Sequence, residues 1–192
     1  MFAELLRNRI RPIVELSINQ LNQLEHHYHL LIKWNKVLNL TSLQKVEEIV
    51  ERHYCESIFL AMHIPIGALT IGDLGSGAGF PGIPIAIIRS ECQVSLIESH
   101  KRKSVFLREA IRELKNVRVL ATRAENVDDI FDWIVGRAVR WSEIEDSASA
   151  ISARIAILGT EQPVASRFTW NTPVQLPWGR QRYLWLGIRR ST

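Results

Sequence analysis

Apolar residues in the first third of the chain fall at helical intervals. Leu21, Leu24, Tyr28, Leu31 and Leu38 lie on one such series, and Val46, Val50, Tyr54 and Ile58 recur at every fourth position. Residues 1–64 therefore predict helices that each bury one face. Pro12 predicts a bend or restart after the first of them. Thr41-Ser42-Leu43-Gln44 has the form of a capping box, its hydroxyl and amide covering exposed N–H groups of the helix that follows. This region reads as a helical cap.

From Leu69 onward, short apolar runs alternate with amphipathic stretches. The runs around residues 70–74, 93–98, 117–122, 131–137 and 154–159 predict strands, as does 182–188. Residues 168–175 would add an antiparallel partner, turned back by Pro177-Trp178-Gly179. Between the strands lie an apolar helix from Pro81 to Arg89 and a second helix N-capped by Ser99, its inner face formed by Leu107, Ala110, Ile111 and Leu114. The alternation predicts an α/β fold with a mostly parallel seven-stranded sheet, its last strand reversed and both faces covered by helices. The expected division is a cap at residues 1–64 and a sheet domain at residues 65–192.

With 46% hydrophobic residues in 192, the chain can bury one substantial core. No window is apolar for long enough to span a bilayer, and Glu4, Arg7, Arg9 and Arg11 interrupt any signal-like start. A cytoplasmic protein is expected. Cys55 and Cys92 stand apart and read as reduced small hydrophobes. His26, His27 and His29 have no carboxylate or cysteine at ligand spacing, so they read as a solvated helix face and no metal site is expected. The formal charge of +4 is concentrated, since residues 100–140 carry ten Lys/Arg against six Asp/Glu. Such a window either attracts RNA phosphates or is an ordinary solvated face.

The most informative stretch is Thr70-Ile71-Gly72-Asp73-Leu74-Gly75-Ser76-Gly77-Ala78-Gly79-Phe80-Pro81-Gly82. It reads as strand, glycine loop and helix start, in which the backbone can approach a ligand closely and the helix offers free N–H groups. Dinucleotide-binding loops use G-x-G-x-x-G; here an acid is followed by G-x-G-x-G, a spacing that fits S-adenosylmethionine loops, or else a tight turn without a ligand. In open α/β sheets ligands lie beyond the carboxyl ends of the strands. That rule collects Asp73, Gly75, Gly77, Gly79, Glu98, Arg123, Ala124, Glu125 and Arg137. Glu98, at the end of the second strand, is placed to accept both hydroxyls of a ribose.

The longer string Asp-Leu-Gly-Ser-Gly-Ala-Gly-Phe-Pro-Gly from Asp73 to Gly82 resembles the RsmG (GidB) family of bacterial 16S rRNA guanine-N7 methyltransferases. The text from Lys33 to Ser42, His53, Ser57, Ala124-Glu125 and Arg137-Ala138 resembles the same family. The resemblance implies a Rossmann-like methyltransferase fold, S-adenosylmethionine as cofactor, and small-subunit rRNA or the 30S particle as partner of a monomeric chain. It implies cofactor contacts from Gly75, Phe80, Ala124, Glu125 and Arg137, with Arg137 also positioning the incoming base. Asp73, Gly77, Gly79 and Glu98 complete the expected cofactor set. Lys101, Arg102, Lys103 and Arg123 are the expected RNA contacts, although Arg123 could instead pair with Glu125. Phe80, Trp141 and Arg137 are candidates to stack on a base. Asn35, Asn39 and His53 either hold the cap onto the sheet or reach substrate.

The chain departs from the family text in three places. Glu56 stands where the family usually has Asp, Leu158-Gly159 where it has Lys-Gly, and the segment before the last strands is short. Guanine N7 bears a lone pair and no proton, so methyl transfer to it needs in-line positioning and no general base. The alternatives are a non-catalytic RNA-binding relative and a nicotinamide oxidoreductase, the latter disfavoured by the glycine spacing.

Overall fold

The computed structural model describes residues 1–161, 163 and 167–190. Helices α1 (Phe2–Ile10) and α2 (Ile18–Leu38), a short α3 (Val46–Ile49), a π-helical stretch (Val50–Cys55) and α4 (Glu56–His63) form the cap. The first helix ends just before Pro12, as its missing N–H requires. The capping box falls elsewhere than expected. Ser17 and Gln20 form it at the start of α2, through Ser17 N–H to Gln20 Oε1 at 2.9 Å and Gln20 N–H to Ser17 Oγ at 3.2 Å. Thr41 instead folds a loop, accepting from Leu43 N–H at 3.1 Å, and α3 begins at Val46 without a side-chain cap.

Strands β1 (Thr70–Leu74), β2 (Gln93–Ile97), β3 (Val117–Leu120), β4 (Trp133–Arg137) and β5 (Arg154–Gly159) are parallel neighbours in the order β3-β2-β1-β4-β5. The segment expected as one antiparallel partner is two short strands, β6 (Phe168–Trp170) and β7 (Val174–Gln175). Both pair with the reversed final strand β8 (Tyr183–Arg189), which pairs with β5. Among the described residues the sheet thus has eight strands rather than seven. Helices α5 (Gly82–Ile88), α6 (Lys101–Ala110) and α7 (Trp141–Ile151) make the crossovers. Near-continuous burial of β1, β2 and β4 follows from helices covering both sheet faces.

One apolar cluster runs from Phe2, Leu6 and Leu24 of the cap through Tyr54 and Ile58 to Ile71, Ile83 and Leu96 of the sheet layer. Arg89 adds a polar clamp at the same junction. Its buried guanidinium donates to Ala61 O at 3.0 Å, Ile64 O at 3.1 Å and Pro65 O at 2.8 Å, covering carbonyls that the end of α4 leaves open. Cys55 and Cys92 are free and buried. No described helix is long and apolar enough to cross a membrane, and no metal-holding cluster occurs among the described residues.

Candidate active site

The glycine loop after β1 is held from behind. Gly75 and Ser76 N–H both donate to Ile97 O, at 2.9 and 3.2 Å, and Gly77 N–H donates to Glu98 Oε2 at 2.9 Å. Asp73 is fully buried, and its Oδ2 accepts from Gly82 N–H at 3.0 Å while Oδ1 has no partner. Burial pushes its carboxyl up to about 7, opposed by the Gly82 bond. Gly79 is needed sterically, because it has φ +87° and a Cβ there would lie 2.9 Å from Ile83 Cγ1. Gly77, at φ +55°, has room for a Cβ, which would meet Gly75 O at an ordinary 3.7 Å.

Two of the expected cofactor residues are therefore placed differently from the sequence reading. Asp73 and Gly79 shape the loop from inside and do not line the mouth, and the free N–H groups expected at the start of α5 are taken by Asp73 Oδ2 and Gly79 O. Gly75, Gly77 and Glu98 do line cavities at the carboxyl ends of the strands.

The larger cavity there, about 640 Å³, is lined by Gly75, Glu98, Ser99, Arg123, Ala124, Glu125, Ala138 and Val139 among others. Glu98 Oε1 accepts from His100 N–H at 2.7 Å and Oε2 from Gly77 N–H, which orients the carboxylate and leaves each oxygen a second lone pair. A Cβ on Gly75 would meet Val139 Cγ1 at 3.1 Å, so a side chain there would narrow the cavity. The volume lies within the range of small-molecule sites. An acceptor pair for two vicinal hydroxyls, a glycine wall and a short apolar lining fit the nucleoside part of S-adenosylmethionine. Arg123 sits on the rim, 3.6 Å from Glu125, as the sequence allowed.

Sharing the Gly75 and Ala138 walls is a second cavity of about 310 Å³, lined by Thr41, Ser42, Arg52, His53, Gly77, Phe80, Arg137 and Arg182 among others. Ala138 has φ +53°, a left-handed conformation that turns the chain away after Arg137. Behind this cavity the fully buried Glu56 carboxylate takes a bidentate contact from Arg182, through Nε and through Nη2 at 2.6 Å, and lies 3.7 Å from Arg137 Nε. Arg137 Nη1 donates to His53 Nδ1, and His53 Nε2 lies 2.7 Å from Thr41 Oγ1. The His53 ring stacks on Phe80 with centroids 4.6 Å apart. Burial and the adjacent Arg137 charge pull the His53 imidazole down to about 2, so it is neutral.

Several stacking and polar assignments change accordingly. Phe80 is 5% exposed, covered by His53 and Tyr54, and presents no open ring face to a base. Trp141 packs edge-on against Phe168 and Trp170. Of the three candidates Arg137 remains, with its guanidinium 6.0 Å above the Phe80 ring and its side chain open to the second cavity. Asn35 binds both the N–H and the C=O of Thr41 at 2.9 Å, and Asn39 is the left-handed C-cap of α2, so both are structural. Lys101 and Arg102 are exposed and Lys103 half-buried in the first turn of α6, whose N-cap is His100 rather than the expected Ser99, since the His100 ring accepts from Lys103 N–H.

Three participants were not anticipated. His27 is buried rather than on a solvated face: Nε2 lies 3.0 Å from Ala78 O and Nδ1 3.0 Å from Tyr54 Oη. Arg182 and Arg52 join the second cavity. For His27 a signal existed, because Leu24, His27 and Leu31 share one helical stripe. Arg182 meets Glu56 across 126 positions, which no local pattern encodes.

The strand order, reversed last strand and cavities beyond the strand ends define the Rossmann-like fold of S-adenosylmethionine-dependent methyltransferases. A methyltransferase of that type from Aquifex aeolicus superimposes with a TM-score of 0.58 at 15% identity, over 83% of this chain and 98% of that one. A structure described as MtNAS in complex with MTA and tNA gives 0.63 at 15% identity, over 88% and 70%. The sequence is more specific than these folds. The GidB family profile, rRNA small subunit methyltransferase G, matches residues 20–152, and the chain belongs to that family. A ribosomal RNA small subunit methyltransferase G from Dichelobacter nodosus is 45% identical over 127 residues, 64% of this chain and 60% of the relative. One from Chromobacterium violaceum is 38% identical over 148 residues, 75% of this chain and 69% of that protein. The alignments thus cover between half and about two thirds of the relatives' own length.

Proposed function

We propose that the chain transfers a methyl group from S-adenosylmethionine to N7 of a guanine in small-subunit rRNA. The observation that carries this reading is the pair of adjoining cavities, one lined by the Glu98 carboxylate and the other by arginines, which share Gly75 and Ala138 in their walls. When bound, S-adenosylmethionine supplies an activated methyl on sulfur. Glu98 would orient its ribose, Ala124 and Glu125 would flank the base, and Gly75 and Gly77 would let the remainder pass toward the second cavity. Phe80 would act from behind, by supporting His53.

Arg137 would hold the acceptor base in line with the methyl. Position and exclusion of water supply the catalysis. Guanine N7 needs no proton removed, and the nearest imidazole, His53, is engaged on both nitrogens. Lys101, Arg102, Lys103 and Arg123 would contact backbone phosphate and fix the register of the RNA.

The test is calorimetric titration with S-adenosylmethionine, followed by mass mapping of methylated rRNA in 30S particles from a strain lacking the modification. Binding followed by one N7-methylguanine supports the reading. RNA retention without transfer would point instead to a non-catalytic relative.

A further inference from the structure

The polar groups around the second cavity have a fixed order of donors and acceptors. A guanidinium has only N–H donors, so His53 Nδ1, in contact with Arg137 Nη1, must be the unprotonated nitrogen. The ring is neutral, hence Nε2 carries the hydrogen and donates to Thr41 Oγ1 at 2.7 Å. Thr41 Oγ1 accepts a second bond from Leu43 N–H at 3.1 Å. Both hydroxyl lone pairs are then committed, so toward the cavity that Thr41 lines its hydroxyl can act only as a donor. Arg52, Arg137 and Arg182 are donors only. Glu56, the acid that pairs with two of these arginines, is fully buried and held by Arg182.

We propose that Thr41, through this proton order, is a specificity-determining donor that admits a purine whose 6-position accepts a hydrogen bond. The inference rests on the guanine-N7 reading and deepens it. Guanine presents O6 and N7, two adjacent acceptors, on the edge that must face the methyl donor. Adenine places an N6 amino donor where O6 would be. A Thr41 donor receives O6 and leaves N7 uncovered, whereas the adenine amino group opposes it with a second donor. Sites built around a hydrogen bond discriminate strongly when it cannot form.

The experiment uses 30S particles reconstituted with 16S rRNA carrying guanine, inosine or adenine at the position the wild-type chain methylates. Inosine keeps both O6 and N7. The wild type is expected to methylate the guanine and inosine particles and leave adenine unmodified. Thr41→Val should lower kcat/KM on guanine by roughly 10- to 100-fold. Its dissociation constant for S-adenosylmethionine should stay within about twofold of wild type, and Thr41→Ser should recover transfer to within about threefold. Nitrogen-15 NMR of the free protein should show His53 as the Nε2–H tautomer. Transfer by Thr41→Val equal to wild type, or His53 protonated on Nδ1, would overturn the donor assignment. A wild-type chain that binds unmodified 30S particles and methylates no guanine in them would overturn the functional reading beneath it instead.

Discussion

Replacing Glu56 by Gln should destabilise the fold and disorganise the second cavity together. Glu56 is fully buried, with Arg182 bound to both oxygens and Arg137 Nε 3.7 Å away. Removing one partner of a buried ion pair costs about 3–5 kcal/mol, because the other charge stays desolvated. Here the arginine side chains keep 13% and 14% exposure, so water relieves part of the cost and ~3 kcal/mol is the expected loss. For a chain of this size that corresponds to a fall in Tm of about 6–12 °C. Urea denaturation of wild type, Glu56→Gln, Arg182→Met and the double variant forms a cycle. The double variant should be less destabilised than the sum of the singles by about 2 kcal/mol, since it removes both charges of the tightest pair. A Glu56→Gln midpoint equal to wild type, or strictly additive single effects, would refute the claim that this carboxylate holds the arginines in place.

Other outcomes follow from the loop and the cap. His27 has its pKa lowered by burial from 6.5 to about 4, so the unfolded chain takes up a proton through this window and the native one does not. Its contribution is complete above pH 6.5 and lost as pH falls to 4. The stability advantage of wild type over His27→Gln should therefore shrink by up to about 3 kcal/mol between pH 7.5 and 4, as read from urea midpoints. Asp73, raised to about 7, acts in the opposite direction, so its neutral form favours the native state as pH falls below 7 and the comparison must be made as a difference between variants. Gly79→Ala should cost about 2–3 kcal/mol, combining strain with overlap onto Ile83, and Gly77→Ala only about 1 kcal/mol, from the left-handed strain alone, since its Cβ makes only an ordinary contact. Gly77→Val, with its branched side chain in the mouth, should abolish the heat of S-adenosylmethionine binding while leaving the fold standing. Neutralising Lys101, Arg102 and Lys103 should flatten the dependence of RNA affinity on log salt by about 0.7 per lost phosphate contact, measured by filter binding.

Where an element is short-ranged the amino-acid text announces it. The glycine loop, Glu98 after β2 and Arg137 after β4 are all visible, because a strand that ends at the sheet mouth delivers its next residues there. The cap helices are visible from their stripes. What the text hides is pairing between distant segments. Glu56 looks like a conservative exchange until Arg182 is seen on it, and His27 looks like a surface histidine until Ala78 O and Tyr54 Oη are seen around it. Asp73 looks like a ligand-facing acid, whereas its carboxylate turns inward to start α5. Thr41-Ser42-Leu43-Gln44 matches a capping box, yet Asn35 and His53 hold its first residue in a loop and Lys45 precedes the helix instead. Motif spacing sees only near neighbours, and these side chains have better partners far along the chain.

The bond from His27 to Ala78 O ties the shape of the glycine turn to a helix that the chain makes about fifty positions earlier. The two halves are thus not interchangeable parts. A chimaera that grafts another protein's first sixty residues onto this sheet inherits a working turn only if the graft brings an imidazole, or a mimic of one, to the same rung.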